Sequence, residues 1–369
     1  MSETTTNQRT DELRQELRET SWIERKYHRS LELNKNRPAL GESIPNECYT
    51  EEFVKSKAQI LKKKPLRLKE YQHLQNAFLQ SEENINAFLS VDNALHALVR
   101  ELSGCNPDLQ LAAANCYCNL ALGNSKACNV LAKAAGPYLL ATLDSLNYNL
   151  MDICIWTIGN LAAGSEKAFE IVYAQGCLRL LISLLRECDL TLLPSVIYAT
   201  MHCVYAGYEH IQDSEIVHVT KAIVCRQSHY HDPNTLWLLA ILSSKSTCVE
   251  HILILLSSLI EYLHNATKSE FSDVVQVTAV VRILANVICE ATGEAVDALF
   301  NNPKHTETET QLLLNKLLMQ PHLHLQKETL WLIGNLYNHP SLRHREQARS
   351  LICTLSSLRQ AALSTGASL

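Results

Sequence analysis

Trp156 and Asn160 stand one helical turn apart in the segment Trp156-Thr157-Ile158-Gly159-Asn160, and relatives of that segment recur along the chain. Trp331-Leu332-Ile333-Gly334-Asn335 repeats it almost unchanged. Asn115-Cys116-Tyr117-Cys118-Asn119 and Arg282-Ile283-Leu284-Ala285-Asn286 keep the asparagine, while Tyr198 with His202 and Trp237 with Ile241 hold the same phase with other residues. The asparagine-phase positions 119, 160, 202, 241, 286 and 335 are 41, 42, 39, 45 and 49 residues apart. Such a period constrains the fold strongly. A unit of this size cannot bury its own apolar face and must stack on its neighbours.

The period lies near the ~40–47 residues of armadillo and HEAT units, and three of the four tryptophans share one phase of it. Within a period, Ser125–Ala134 reads as a short first helix. Gly136 and Pro137 then break the chain before Tyr138–Leu143, and Asn147–Asn149 lead into the long helix around Trp156. The next unit reads as Ser165–Ala174, Gly176, Leu178–Leu185 and Leu190–Tyr205. Only 11 glycines and 10 prolines in 369 residues, with 47% apolar residues, favour helices over many short strands. The expected fold is all-α, a right-handed armadillo-repeat superhelix or solenoid over residues 71–369. It has about six repeats and a C-terminal helical segment, with extra residues placed in 264–272 and 301–309.

Residues 1–70 read as an N-terminal helical arm. Apolar residues at 13, 17, 23, 27 and 31 predict an amphipathic helix over 11–33, and Pro38, Gly41 and Pro45 predict a linker over 34–47. Lys62-Lys63-Lys64-Pro65-Leu66-Arg67-Leu68-Lys69 then forms a basic cluster. It reads as a localisation signal, a self-inhibitory peptide or a solvated charge run. The arm carries a net +3 and the remainder −8. An acidic body suits basic peptides and argues against nucleic acid as a partner.

Thirteen scattered cysteines without Cys-x-x-Cys spacing predict free thiols packed as small hydrophobes in a reducing compartment. The polar first 20 residues predict no signal peptide. The most apolar run, 251–263, carries Glu261 and reads as too short for a bilayer of ~20 residues. A cytoplasmic and nuclear protein without membrane contact is expected.

Side chains at i and i+4 share a helix face. In a stacked repeat the third helix lines the binding face. An asparagine amide offers the donor and acceptor that hold an extended peptide backbone. A tryptophan ring walls the stem of a Lys or Arg and attracts its cation. The candidate peptide-binding residues are therefore Asn115, Asn119, Asp152, Trp156, Asn160, Tyr198, His202, Trp237, Asn286, Trp331 and Asn335, with Asp152 as a charge partner. The alternative is that Trp packs in the core and Asn satisfies backbone groups between units. Arg282 occupies a tryptophan position and would repel a basic ligand unless it faces another group. A weakened middle predicts two separated sites rather than one long clamp.

Catalysis is not expected. Gly-rich phosphate loops, Gly-x-Ser-x-Gly and His-Glu-x-x-His are all absent from the sequence. The pairs His322/His324 and His229/His231 match no metal-ligand spacing, so neither metal nor cofactor is expected.

The segments DICIWTIGNLAAGS (152–165) and QKETLWLIGN (326–335) resemble repeats of the importin-alpha family of nuclear-localisation-signal adaptors. That resemblance implies a nuclear import adaptor that binds cargo through a basic peptide. It also implies an importin-beta-binding segment in residues 8–37, although acids alternate there with bases (Glu16, Arg18, Glu24, Arg25) where the family has dense basic clusters. A different expectation for the same fold is a scaffold or dedicated chaperone that binds one protein partner outside import.

Overall fold

The computed structural model describes residues 48–226, 232–268, 273–289, 293–301 and 306–365. The expected amphipathic helix, the linker over 34–47, the importin-beta-type segment and the His229/His231 pair lie outside them. Among the described residues every regular element is a helix. The chain divides into two compact units, Met1–Gln175 and Gly176–Leu369.

In the first unit the helices run α1 (Glu51–Lys63), α2 (Leu68–Gln80), α3 (Glu82–Leu89), α4 (Ala94–Leu102), α5 (Pro107–Leu120), α6 (Ser125–Ala141), α7 (Tyr148–Gly164) and α8 (Glu166–Ala174). The long third helices α2, α5 and α7 pack side by side in chain order. Their starts are written in the sequence. Asn106 accepts from the Asp108 and Leu109 amides, with Pro107 at the first helical position, and Asn147 accepts from the Leu150 amide at 3.2 Å. Gly136 and Pro137 do not break the chain as expected. α6 runs through them, because proline keeps a helical φ and costs one backbone bond, while Gly136 lets the Gln175 side chain close on the helix.

Among the described residues the stack begins at Glu51, inside the segment read as an arm. α1 buries Val54, Ala58 and Leu61 and packs on α3 and α4. The basic cluster is the connection between α1 and α2. Lys62 and Lys63 end α1, Leu66 is buried, and Lys69 belongs to α2.

The second unit continues with α9 (Cys177–Glu187), α10 (Leu193–Ala206), α11 (Asp213–Val224), α12 (Pro233–Leu242), α13 (Ser246–Ile252), α14 (Leu256–Ala266) and α15 (Val274–Val287). After these come α16 (Glu294–Phe300), α17 (Glu307–Leu318), α18 (Leu323–Tyr337), α19 (Leu342–Ile352) and α20 (Leu358–Thr365). Its third helices α10, α12, α15 and α18 stack in order. Gly176, at φ +90, supplies the left-handed turn into α9. The stretch Ser246–Ala266 is 21 residues long and apolar enough by length and composition to cross a membrane, which corrects the shorter span read from the sequence. In the fold a 3₁₀ turn at Leu253–Leu255 divides it into two helices of one repeat. Cys248, Ile252, Leu256, Leu259, Ile260 and Leu263 are buried there.

Cations close the ends of second helices. Arg100 of α4 donates to Leu61 O of α1 at 3.0 Å. Arg226 donates to Leu185 O and Cys188 O beyond α9, at 2.8 and 3.0 Å, and Lys316 of α17 donates to Thr267 O at 2.9 Å. Each satisfies a carbonyl left unpaired at the negative pole of a helix.

All thirteen cysteines are free, seven of them buried. Burial pushes the Cys154 thiol up to about 12, with a hydrogen bond to Thr142 acting against the shift. At pH 8 iodoacetamide should therefore modify exposed Cys105 and Cys353 in the native protein and reach Cys154 only after denaturation, as read by peptide mass spectrometry.

Candidate functional site

In each unit the third helices carry the residues singled out from the repeat. There the asparagines take a specific part in the fold. Asn119 of α5 donates through Nδ2 to Gln75 O of α2 at 2.9 Å, and Asn160 of α7 donates to Cys118 O of α5 at 3.4 Å. In the second unit Asn286 of α15 donates to Ala240 O of α12 at 3.2 Å and to Ser243 Oγ at 3.0 Å. Asn335 of α18 donates to Ala285 O of α15 at 2.8 Å. The acceptor is each time the residue just before the ladder position of the preceding third helix. The four bonds span 44, 42, 46 and 50 residues. The asparagine thus ties α5, α7, α15 and α18 each to the third helix before it.

Burial bears directly on the peptide-binding reading of four of these residues. Asn119 and Asn160 are fully buried, and the alternative reading, asparagine satisfying backbone between units, describes their amide N–H. Tyr198 and His202 are also closed inside the fold, at 2% and 1% exposure, with ring centroids 4.4 Å apart on α10. None of these four offers a ligand an open surface. Asn115, Asp152 and Trp156 on α5 and α7 remain half-buried. So do Trp237 of α12, Asn286 of α15, and Trp331 and Asn335 of α18. In the first unit this leaves a tryptophan wall with a carboxylate one turn before it on the same helix.

Arg282 does not present a bare cation. Its guanidinium makes a two-pronged ion pair with the Glu328 carboxylate of α18, and both side chains are buried, at 7% and 6% exposure. The fork geometry matches a carboxylate bidentately.

Two ladder residues escaped the sequence reading. Asn76 sits on α2 beside Gln75, the acceptor for Asn119, so the ladder starts one helix earlier than position 119. It is buried at 7% exposure with its Oδ1 unpaired. The signal was present, since Asn76 falls one period before Asn119, but Gln72 stands where a tryptophan would have flagged it. Glu328 lies three residues before Trp331, as Asp152 lies four before Trp156. Only contact between helices reveals its partner. Among the described residues no group of three or more His, Cys, Asp or Glu side chains is arranged to hold a metal.

No family model matches the chain. It is 26% identical over 268 residues to importin subunit alpha-9 of Arabidopsis thaliana, a match that covers 70% of this chain and 50% of that protein. The chain thus spans about half the length of the curated relative it matches. An engineered protein of known structure superposes with a TM-score of 0.65 at 18% identity, covering 91% of this chain and 82% of its own. A second engineered protein gives 0.52 at 21% identity, covering 65% and 97%. A designed armadillo repeat protein covers 77% of this chain at a TM-score of 0.40, too loose to add weight. The chain has an all-helical repeat fold and a distant sequence likeness to importin subunit alpha-9.

Replacing Asn119 by Ala removes one tie between third helices and should cost about 1–2 kcal/mol of stability. Asn119→Asp should cost more, because it buries a carboxylate against the Gln75 carbonyl. Urea denaturation measures both; an unchanged midpoint for both variants would contradict the role given to the ladder.

Proposed function

We propose that this chain is a non-catalytic armadillo scaffold that holds an extended basic peptide against the third-helix face at Trp156. The observation that carries the reading is the pairing on α7 of a half-buried indole, Trp156, with a half-buried carboxylate, Asp152, one turn away. The ring walls the apolar stem of a Lys or Arg, and the carboxylate meets its charge. The acidic balance of residues 71–369 supports the same ligand. Asn160 contributes by fixing α7 against α5.

With the importin-alpha-9 likeness, this site chemistry supports a nuclear import adaptor that shuttles between cytoplasm and nucleus with cargo bearing a basic localisation signal. The divergent importin-alpha-like group called transmembrane and coiled-coil domain-containing protein six is the grouping we favour. Residues 8–37 would bind importin-beta, and a pull-down of the full chain against residues 48–369 tests that separately. A second reading, a scaffold or dedicated chaperone for one protein partner outside import, is favoured by the Arg282–Glu328 pair, which interrupts the tryptophan ladder.

Titration of a labelled Lys/Arg-rich localisation peptide decides between them. The adaptor reading expects micromolar or tighter binding, weakened about 10-fold or more by Trp156→Ala and by Asp152→Asn, a loss in keeping with a cation over an indole and a charge pair. Absence of binding, with or without residues 1–47, sinks it.

A further inference from the structure

Two of the buried thiols lie against each other. Cys177 opens α9, Cys203 sits in the third helix α10 of the same repeat, and α9 packs on α10. Both residues are fully buried, at 0% exposure. The Cys203 thiol donates a hydrogen bond to the Cys177 sulfur. That bond, together with burial, holds the proton on Cys203 and pushes its thiol well above the usual range. Other buried thiols meet oxygen instead. Cys116 donates to Tyr71 O at 3.6 Å, Cys128 donates to Ala121 O at 3.5 Å, and Cys248 accepts from Thr220 Oγ1 at 3.1 Å.

The fold holds the two sulfurs differently. Cys203 lies inside α10 between buried His202 and Val204. Cys177 is the first residue of α9, where Gly176 brings no side chain to cap the helix. The first backbone bond there, Leu180 N to Gly176 O, is 3.4 Å long, against 3.0 Å for Val196 N to Leu192 O at the start of α10. A helix end with one long bond and no side-chain cap opens locally at lower cost than a helix interior. Cys177 is therefore the sulfur that reaches solvent first, and Cys203 is the one that waits behind it.

We infer that Cys177 and Cys203 form a dithiol site for hydroperoxides, which join α9 to α10 through a reversible disulfide. When the start of α9 opens, the Cys177 thiol gives its proton to solvent and its sulfur attacks one oxygen of the peroxide. The O–O bond breaks, the released hydroxide takes up a proton to leave as water, and Cys177 becomes a sulfenic acid. As α9 closes, the Cys203 sulfur attacks the Cys177 sulfur and the S–O bond breaks. That hydroxide leaves with the Cys203 proton as a second water. Two thiols and one hydrogen peroxide thus give one disulfide and two waters, the sulfurs together losing two electrons to the peroxide. Dithiothreitol reverses the step by thiol–disulfide exchange. The bond fixes the loose end of α9 to a third helix. Neither sulfur belongs to the residues assigned to the peptide, so the site stands or falls independently of that function.

The experiment treats the native full chain with hydrogen peroxide at neutral pH, blocks the remaining thiols with N-ethylmaleimide during unfolding, and maps peptic peptides without reduction. A linked Cys177–Cys203 peptide pair is expected, two hydrogens lighter than its separate halves and lost on dithiothreitol treatment. Hydrogen exchange in the first turn of α9 should slow about 10-fold on oxidation, because the cross-link removes the local opening. Cys203→Ser should leave Cys177 as a sulfenic acid that dimedone traps. Cys177→Ser should leave Cys203 reduced while exposed Cys105 and Cys353 oxidise. The dithiol site is overturned if both thiols still take up N-ethylmaleimide after Cys105 and Cys353 have been oxidised. Pairing of Cys177 or Cys203 with any other cysteine overturns it as well. The wild-type map decides on its own if a serine variant does not fold.

Discussion

The hydrogen bond from an asparagine amide to the backbone of the preceding third helix is the constraint on which the rest of the structure depends. A third helix in this fold is apolar on most sides, as α7 shows with buried Leu150, Cys154, Ile155, Ile158 and Leu161. Apolar packing is non-directional and leaves register free to slide. One polar group at a fixed phase, paired to a named carbonyl, fixes the register of α5, α7, α15 and α18 against the third helix before each. An amide N–H buried without that carbonyl would cost about 1–3 kcal/mol, so a slipped arrangement is penalised directly. Asn119, Asn160, Asn286 and Asn335 all obey this rule. Where Ile241 replaces the asparagine on α12, buried Leu238, Leu239 and Ile241 remain to pack that helix on α10 and α15.

In the proposed function, recognition falls to what the ladder leaves uncovered on the third helices. Once the asparagines are engaged in the stack, the half-buried tryptophans and the acids one turn ahead of them become the groups that distinguish one position from the next. Asp152 and Glu328 stand four and three residues before a tryptophan, and Glu328 is paired with Arg282 of the preceding third helix. A repeat protein can thus change ligand preference at one position without disturbing its neighbours, because each unit contacts only the adjacent ones.

The period of the Trp/Asn segment made the fold legible, and helix boundaries followed from cap residues such as Ser165 before α8 and Gly176 before α9. Two features hid the rest. The leading helix α1 was hidden because Lys62–Lys69 has the composition of a solvated arm, while its buried Leu66 is a single residue in a charged run. Pro137 read as a break because one proline carries no sign of whether the surrounding helix tolerates a lost bond. The sequence marked the asparagine positions and left two roles open for them, holding a peptide or satisfying backbone between units. Spacing places Asn160 beneath Trp156 and does not say whether its amide turns to a ligand or to Cys118 O. The Arg282–Glu328 pair lies further from sequence still, since it joins residues 46 apart on different helices.

Hydrogen exchange of the full chain with and without a saturating Lys/Arg-rich peptide tests the central claim most directly, because protection reports which backbone segments a ligand stabilises. The account predicts slower exchange in the segments Pro107–Leu120 and Tyr148–Gly164, around Trp156. Protection confined to Leu323–Tyr337, or none in any third helix, would contradict it.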